Sequence, residues 1–154
     1  SELQITAVPA RRILLVESER SLHQLQQLCL SQPLLDTIAV LGSGLNLAWL
    51  TAPWLQACDV AYWGDIDTWG LAMLASARRH LPQLHALLMD RATFDAHAER
   101  AVAEPVPASD LLPDSLHPHE AALAQHLRTL DKGRLEQEFL PVETVAAAFA
   151  TWAG

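Results

Sequence analysis

Four short apolar runs, each handing over to a stretch of helical character, leave this chain little choice of fold. Residues 12–16 end in Glu17, residues 37–41 run into Gly42-Ser43-Gly44, residues 60–63 into Gly64-Asp65, and residues 85–89 into Asp90. Their length and branched side chains read as buried strands. Helices are expected over 22–29, with Ser18, Glu19 and Ser21 available as caps, and over 45–56, broken or kinked at Pro53. A third is expected over 70–80, stopped by Pro82. This alternation predicts an α/β fold: a mostly parallel four-stranded sheet with helices on both faces, joined by right-handed crossovers. A proline-rich connector over 103–118 and two C-terminal helices, 119–130 and 142–152, should follow. The expected organisation is one domain over 1–154: a core of about 11–100, the connector, and a helical part from 119 onward. An initial Ser in place of Met reads as a piece of a longer protein.

The chemistry concentrates where strands end. Tyr62-Trp63-Gly64-Asp65-Ile66-Asp67-Thr68-Trp69-Gly70 places two carboxylates two positions apart at a strand-to-loop junction, where alternating side chains can point the same way. The flanking glycines allow a turn and a close approach. Glu17 ends the first strand, and ligands of open α/β sheets bind at such carboxyl ends. Clustered acids repel one another, and a hard divalent cation such as Mg²⁺ is the usual remedy. The plainer alternative is that Asp65 caps a turn and Asp67 caps the next helix.

Composition narrows the functions. About half of the 154 residues are apolar, enough for a packed core, yet no run is long enough to span a bilayer. The start is polar and carries no signal peptide. Cys29 and Cys58 do not make a disulfide framework, and the cytoplasm is the simplest compartment. The net charge of −8 argues against this chain gripping a nucleic-acid backbone unaided. Arg78-Arg79-His80 is the one tight basic cluster and suits a helix C-terminus.

Gly42-Ser43-Gly44 is a phosphate-loop candidate or a tight strand-to-helix turn; it is neither a Walker loop nor a dinucleotide fingerprint. His117-Pro118-His119-Glu120 reads as a helix opening in solvent in preference to a zinc site. No Gly-x-Ser-x-Gly elbow supports serine catalysis. Trp63 is expected in the core, and Trp69 beside the acids. Asp90, Glu136 and Glu138 are possible accessory acids, with a salt bridge from Arg134 the bland reading for the last two.

A strand ending in Glu, a strand with a glycine turn and a strand ending in Asp-x-Asp together resemble the Toprim pattern of topoisomerases, primases and several nucleases. More closely, Tyr62-Trp63-Gly64-Asp65-Ile66-Asp67-Thr68, Leu87-Leu88-Met89-Asp90-Arg91-Ala92-Thr93 and Arg134-Leu135-Glu136-Gln137-Glu138 are similar to the C-terminal domain of the JetD family, from the Wadjet plasmid-defence system. The likeness runs from about residue 12 to about residue 141. Ser18, Ser43 and Trp69 stand where that family usually has Asn, Lys and His.

The resemblance implies a Toprim-like fold and a metal-dependent DNA endonuclease. Asp65 and Asp67 would hold Mg²⁺ or Mn²⁺, and Glu17 would be a further ligand or general acid/base. DNA and SMC-like Wadjet subunits would be partners of the full-length protein, with a homodimer left open. The isolated chain is expected to cleave weakly or not at all. The rival expectation is a non-catalytic docking module of a multi-subunit DNA-maintenance complex. A receiver-type phosphotransfer domain ranks below both, because the only lysine, Lys132, lies near a helix end.

Overall fold

The computed structural model describes residues 11–31, 37–41, 48–109 and 113–154. Strands β1 (Arg12–Val16), β2 (Thr37–Leu41), β3 (Asp59–Trp63) and β4 (His85–Ala86) form one sheet in the order β2-β1-β3-β4. Every pairing is parallel. Helices α1 (Glu19–Ser31), α2 (Thr68–His80), α3 (Arg91–Ala96), α4 (Pro118–Arg128) and α5 (Val142–Ala153) accompany it. Consecutive residues of the two central strands are buried, Ile13 to Val16 and Val60 to Trp63. Alternate residues face opposite ways, so both faces of the sheet are covered, as the unbroken apolar runs require. Among the described residues, no helix is long and apolar enough to cross a membrane.

Two elements depart from expectation. The helix expected over 45–56 is, over its described part, two short 3₁₀ turns, Ala48–Thr51 and Pro53–Ala57. Pro53 lacks an N–H, and the residue before a proline is pushed out of the helical region. Ala52 accordingly adopts φ −58° and ψ 132°. The fourth strand was expected over 85–89 but spans only His85–Ala86. Leu87 N–H still reaches the Tyr62 carbonyl (2.9 Å), and Leu88 then takes a φ of 60°, which turns the chain out of the sheet.

The connector is built into the domain. Just before it, Val102 pairs antiparallel with Arg134, and within it Ala108 N–H donates to the Thr68 hydroxyl (2.7 Å) at the start of α2. On the sheet, Trp63 meets Phe149 of α5 edge-on, with ring centroids 5.3 Å apart and planes at 81°, in the core position expected of it. Cys58 is half-buried, its thiol on the Trp54 carbonyl.

Arg78 is not a solvated helix-end cation. It is 5% exposed, and its guanidinium donates to both oxygens of Glu120, to the Ser115 carbonyl (3.1 Å) and to the Leu84 carbonyl (3.3 Å). Glu120, expected in solvent, is 1% exposed and also accepts the His117 N–H (2.7 Å), closing a capping box on α4. Burial raises the Glu120 carboxyl, but the hydrogen bonds and charges of Arg78 and His117 together outweigh it and hold the group below its ordinary value. Removing one partner from a buried pair leaves an uncompensated charge. Glu120→Gln should therefore lower unfolding stability by ~3–5 kcal/mol in urea titration, whereas Arg78→Met with Glu120→Leu should recover most of the loss. A Glu120→Gln loss under about 1 kcal/mol would show the pair to be dispensable.

Candidate functional site

The pairing of β1 with β3 builds the site. Val16 stands opposite Trp63, so Glu17 and Gly64 leave the sheet side by side. The ladder continues one step further, with Glu17 N–H donating to the Trp63 carbonyl (3.2 Å). The Glu17 carboxylate then crosses to β3, where Oε2 accepts the Asp65 N–H at 2.9 Å. Only glycine permits this crossing. A Cβ on residue 64 would lie 2.6 Å from Glu17 Oε2 and 3.0 Å from the Tyr62 hydroxyl. Gly70 answers a second close approach, since a Cβ there would lie 2.0 Å from the Asp65 carbonyl oxygen.

Asp67 is the N-cap of α2: Oδ1 accepts the Gly70 N–H (2.6 Å), and Oδ2 accepts from Arg134 Nε (2.8 Å). Asp65 does not cap a helix. Its Oδ1 accepts the Gln137 N–H (2.8 Å). A distant segment supplies these partners. Ile66 and Leu135 exchange backbone hydrogen bonds of 2.9 and 3.0 Å, which lays residues 134–138 along the acid loop. Glu138 arrives with them and accepts from the Ser18 hydroxyl (2.5 Å). Glu104 closes the start of α2, accepting from both the N–H (2.9 Å) and the hydroxyl of Thr68.

Glu17, Asp65, Asp67 and Glu138 thus share one edge with Glu104 nearby, and the electrostatics show the crowding. Burial first, then Glu17, Asp67 and Glu138, push Asp65 to about 7, against the pull of the Gln137 N–H. Glu17 is raised above its usual 4.5, chiefly by burial, with Asp67 and Glu138 adding and the Asp65 N–H and Arg134 opposing. Burial, then Glu17, Asp65 and Asp67, push Tyr62 well above the usual tyrosine value. The Tyr62 hydroxyl, 1% exposed, has no hydrogen-bond partner among the described residues, and neither does Gln137 Oε1.

The chain's likeness to known proteins bears on this edge. The family described as "Wadjet protein JetD, C-terminal" matches residues 1–149. This chain belongs to the JetD C-terminal family. No curated protein matches it.

Of the acids expected at the JetD-family site, Glu17, Asp65 and Asp67 are brought together, and Glu138 joins them. Asp90 is instead the N-cap of α3, accepting the Thr93 N–H (2.7 Å). Glu136 is half-buried and precedes a 3₁₀ turn, Gln137–Phe139. Gly42, Ser43 and Gly44 lie outside the described residues. Arg134 pairs with Asp67, not with its neighbouring glutamates. Trp69, 47% exposed, donates its indole N–H to the Val106 carbonyl (2.6 Å). The sequence reading missed the roles of Gln137 and Glu104, and that the group approaching Gly64 is Glu17. Gln137 and Glu104 are polar residues far from the acid loop in the chain, and the antiparallel bridges that deliver them leave no local signal.

The carboxylates of Glu17, Asp65 and Asp67 are hard oxygen donors of the kind that Mg²⁺ or Mn²⁺ takes, although they do not bring three donor atoms within 4.8 Å of one another. Glu17 and Asp65 would hold it, with Asp67 joining once freed from Arg134. A second group of ligand types, His117, His119 and Glu120, brings its donor atoms within 4.8 Å of one another. Its carboxylate is already committed to Arg78 and the His117 N–H.

The raised carboxyl of Asp65 predicts the direction of pH dependence. Between the ordinary 3.8 and about 7, the folded chain keeps a proton on Asp65 that the unfolded chain has released. Stability in EDTA should therefore fall as pH rises from about 4 to about 7, and Glu17 should add to the fall. Asp65→Asn should flatten this profile in urea titrations across that range. A wild-type profile already flat or rising there would contradict the repulsion.

Proposed function

We propose that this domain cleaves DNA phosphodiester bonds as the metal-dependent, Toprim-type nuclease part of a JetD protein in Wadjet plasmid defence. The observation supporting this most is the convergence of Glu17, Asp65 and Asp67 at the carboxyl ends of two adjacent strands, with Glu138 beside them. Crowded, partly buried acids cost stability unless something at the site uses them. When bound, Mg²⁺ or Mn²⁺ supplies Lewis-acid polarisation of the phosphoryl group and lowers the pKa of water.

The chain's own residues do the rest. Asp65 is aimed by the Gln137 N–H, and Asp67 is fixed by the start of α2. Glu17 has Oε2 tied to the Asp65 N–H, so Oε1 would serve either as a metal ligand or to exchange a proton with the attacking water or the leaving oxygen. Its raised carboxyl brings it nearer the pH at which such exchange is efficient. Tyr62 is too buried to attack a phosphodiester, which favours hydrolysis over a covalent protein–DNA intermediate. The net charge of −8 leaves the grip on DNA to the rest of the protein and to Wadjet partner subunits.

One observation favours a docking module in place of a nuclease: both oxygens of Asp67 already have partners. Plasmid cleavage separates the two readings. The assembled complex should nick or linearise supercoiled plasmid in Mn²⁺, and Glu17→Gln should reduce the rate by ~10²-fold or more. The chain alone should cleave weakly or not at all. Equal cleavage by the Glu17→Gln complex would remove Glu17 from the mechanism, and an intact complex inert in both Mg²⁺ and Mn²⁺ would favour docking.

A further inference from the structure

Arg134 and Arg78 are both arginines paired with a buried acid, yet they use their donors differently. Arg78 spends its guanidinium on Glu120 and two carbonyls. Among the described residues, Arg134's guanidinium makes a single hydrogen bond, from Nε to Asp67 Oδ2. A guanidinium carries five N–H donors, so most of the fork is uncommitted. The side chain is 27% exposed, while that of Asp67 is 2% exposed, so one end of the pair faces solvent. The stem is anchored: Arg134 exchanges backbone hydrogen bonds of 2.8 and 2.9 Å with Val102. The head is held by Asp67 alone.

Its electrostatic surroundings are the acid edge. Asp67, Asp65 and Glu104 all act on Arg134, and Arg134 acts on Glu17. One positive charge among these carboxylates leaves the edge negative. A divalent ion entering there competes for Asp67 and also repels the guanidinium.

We propose that Arg134 is the site's resident counter-cation and its reserve phosphate binder. In the metal-free chain it holds the share of Asp67 that a divalent ion takes; once displaced, its open fork binds a phosphodiester arriving from solvent. This rests on the metal-site reading and names the group that meets the substrate. A planar fork suits two phosphate oxygens at once, which an ammonium does not. Displacement of one cation by another is a negative coupling between sites, of a size that changes affinity several-fold.

Mn²⁺ binding by calorimetry, on the chain carrying His119→Ala to exclude the second ligand group, tests the first half. Arg134→Gln should bind Mn²⁺ about five- to tenfold more tightly than the parent. Damage to the fold does not raise metal affinity, so a gain is diagnostic. Arg100→Gln controls for lost positive charge: Arg100 donates to the Phe139 carbonyl on the same side of the molecule, and its loss should change affinity less than about twofold. Equal or weaker Mn²⁺ binding by Arg134→Gln, with the parent binding intact, overturns the competition and leaves the metal site standing. No Mn²⁺ binding by either protein overturns both.

The second half is read by nitrogen-15 NMR of the Arg134 Nε–H. The signal should move when Mg²⁺ is added and move again when the dinucleotide TpT is added to the Mg²⁺-loaded chain. A signal that responds to Mg²⁺ but not to TpT overturns the phosphate role.

Discussion

Glu17 reaching across Gly64 to the Asp65 N–H is the contact on which the rest of this edge depends. It joins the ends of the two central strands and commits a carboxylate to a partly buried position beside two more. That arrangement has no intrinsic stability. Burial and mutual repulsion raise Glu17 and Asp65, and the backbone N–H groups of Asp65 and Gln137 offset only part of the cost. Elsewhere in the molecule a buried acid is handled in the opposite way. Glu120 is matched by two donors of the Arg78 guanidinium and sits below its ordinary value. The same chain satisfies one acid completely and leaves a cluster under-compensated. The proposed metal role rests on this contrast between the cluster and the Arg78 pair.

The supporting parts follow from that edge. Residues 134–138 lie along the acid loop through the Ile66–Leu135 bridge and supply Arg134, Gln137 and Glu138. Glu104 and Asp67 accept the Thr68 and Gly70 N–H groups at the start of α2. Membership of the JetD C-terminal family agrees with the motifs around Asp65, Asp90 and Arg134. The proposed nuclease role adds what the acids would do there.

Much of this was legible in the sequence, for identifiable reasons. Strands β1 and β3 are buried on both faces, so their runs are continuously apolar and end visibly at Glu17 and Gly64. The helix of residues 68–80 announced its stop with Pro82, and Asp67 was foreseen as a possible cap. Other features have no local signature. The antiparallel bridges tie residues about 32 and 69 apart in the chain, and periodicity says nothing about such pairings. The Arg78–Glu120 pair looks like two surface charges until α2 and α4 are packed together. Pro53 was read correctly as a breaker, yet its effect on Ala52 was large enough to leave 3₁₀ turns where a kinked helix was expected. Leu88 shortens β4 through a backbone conformation that leucine's composition does not signal.

Anomalous diffraction from crystals of the chain soaked in Mn²⁺ addresses the central claim most directly, because it locates the ion without reference to activity. The account predicts an anomalous peak within ligand distance of Glu17 and Asp65, with the Arg134 guanidinium withdrawn from Asp67. A peak at His117 and His119 alone, or full soaking with none at the acid edge, would contradict it.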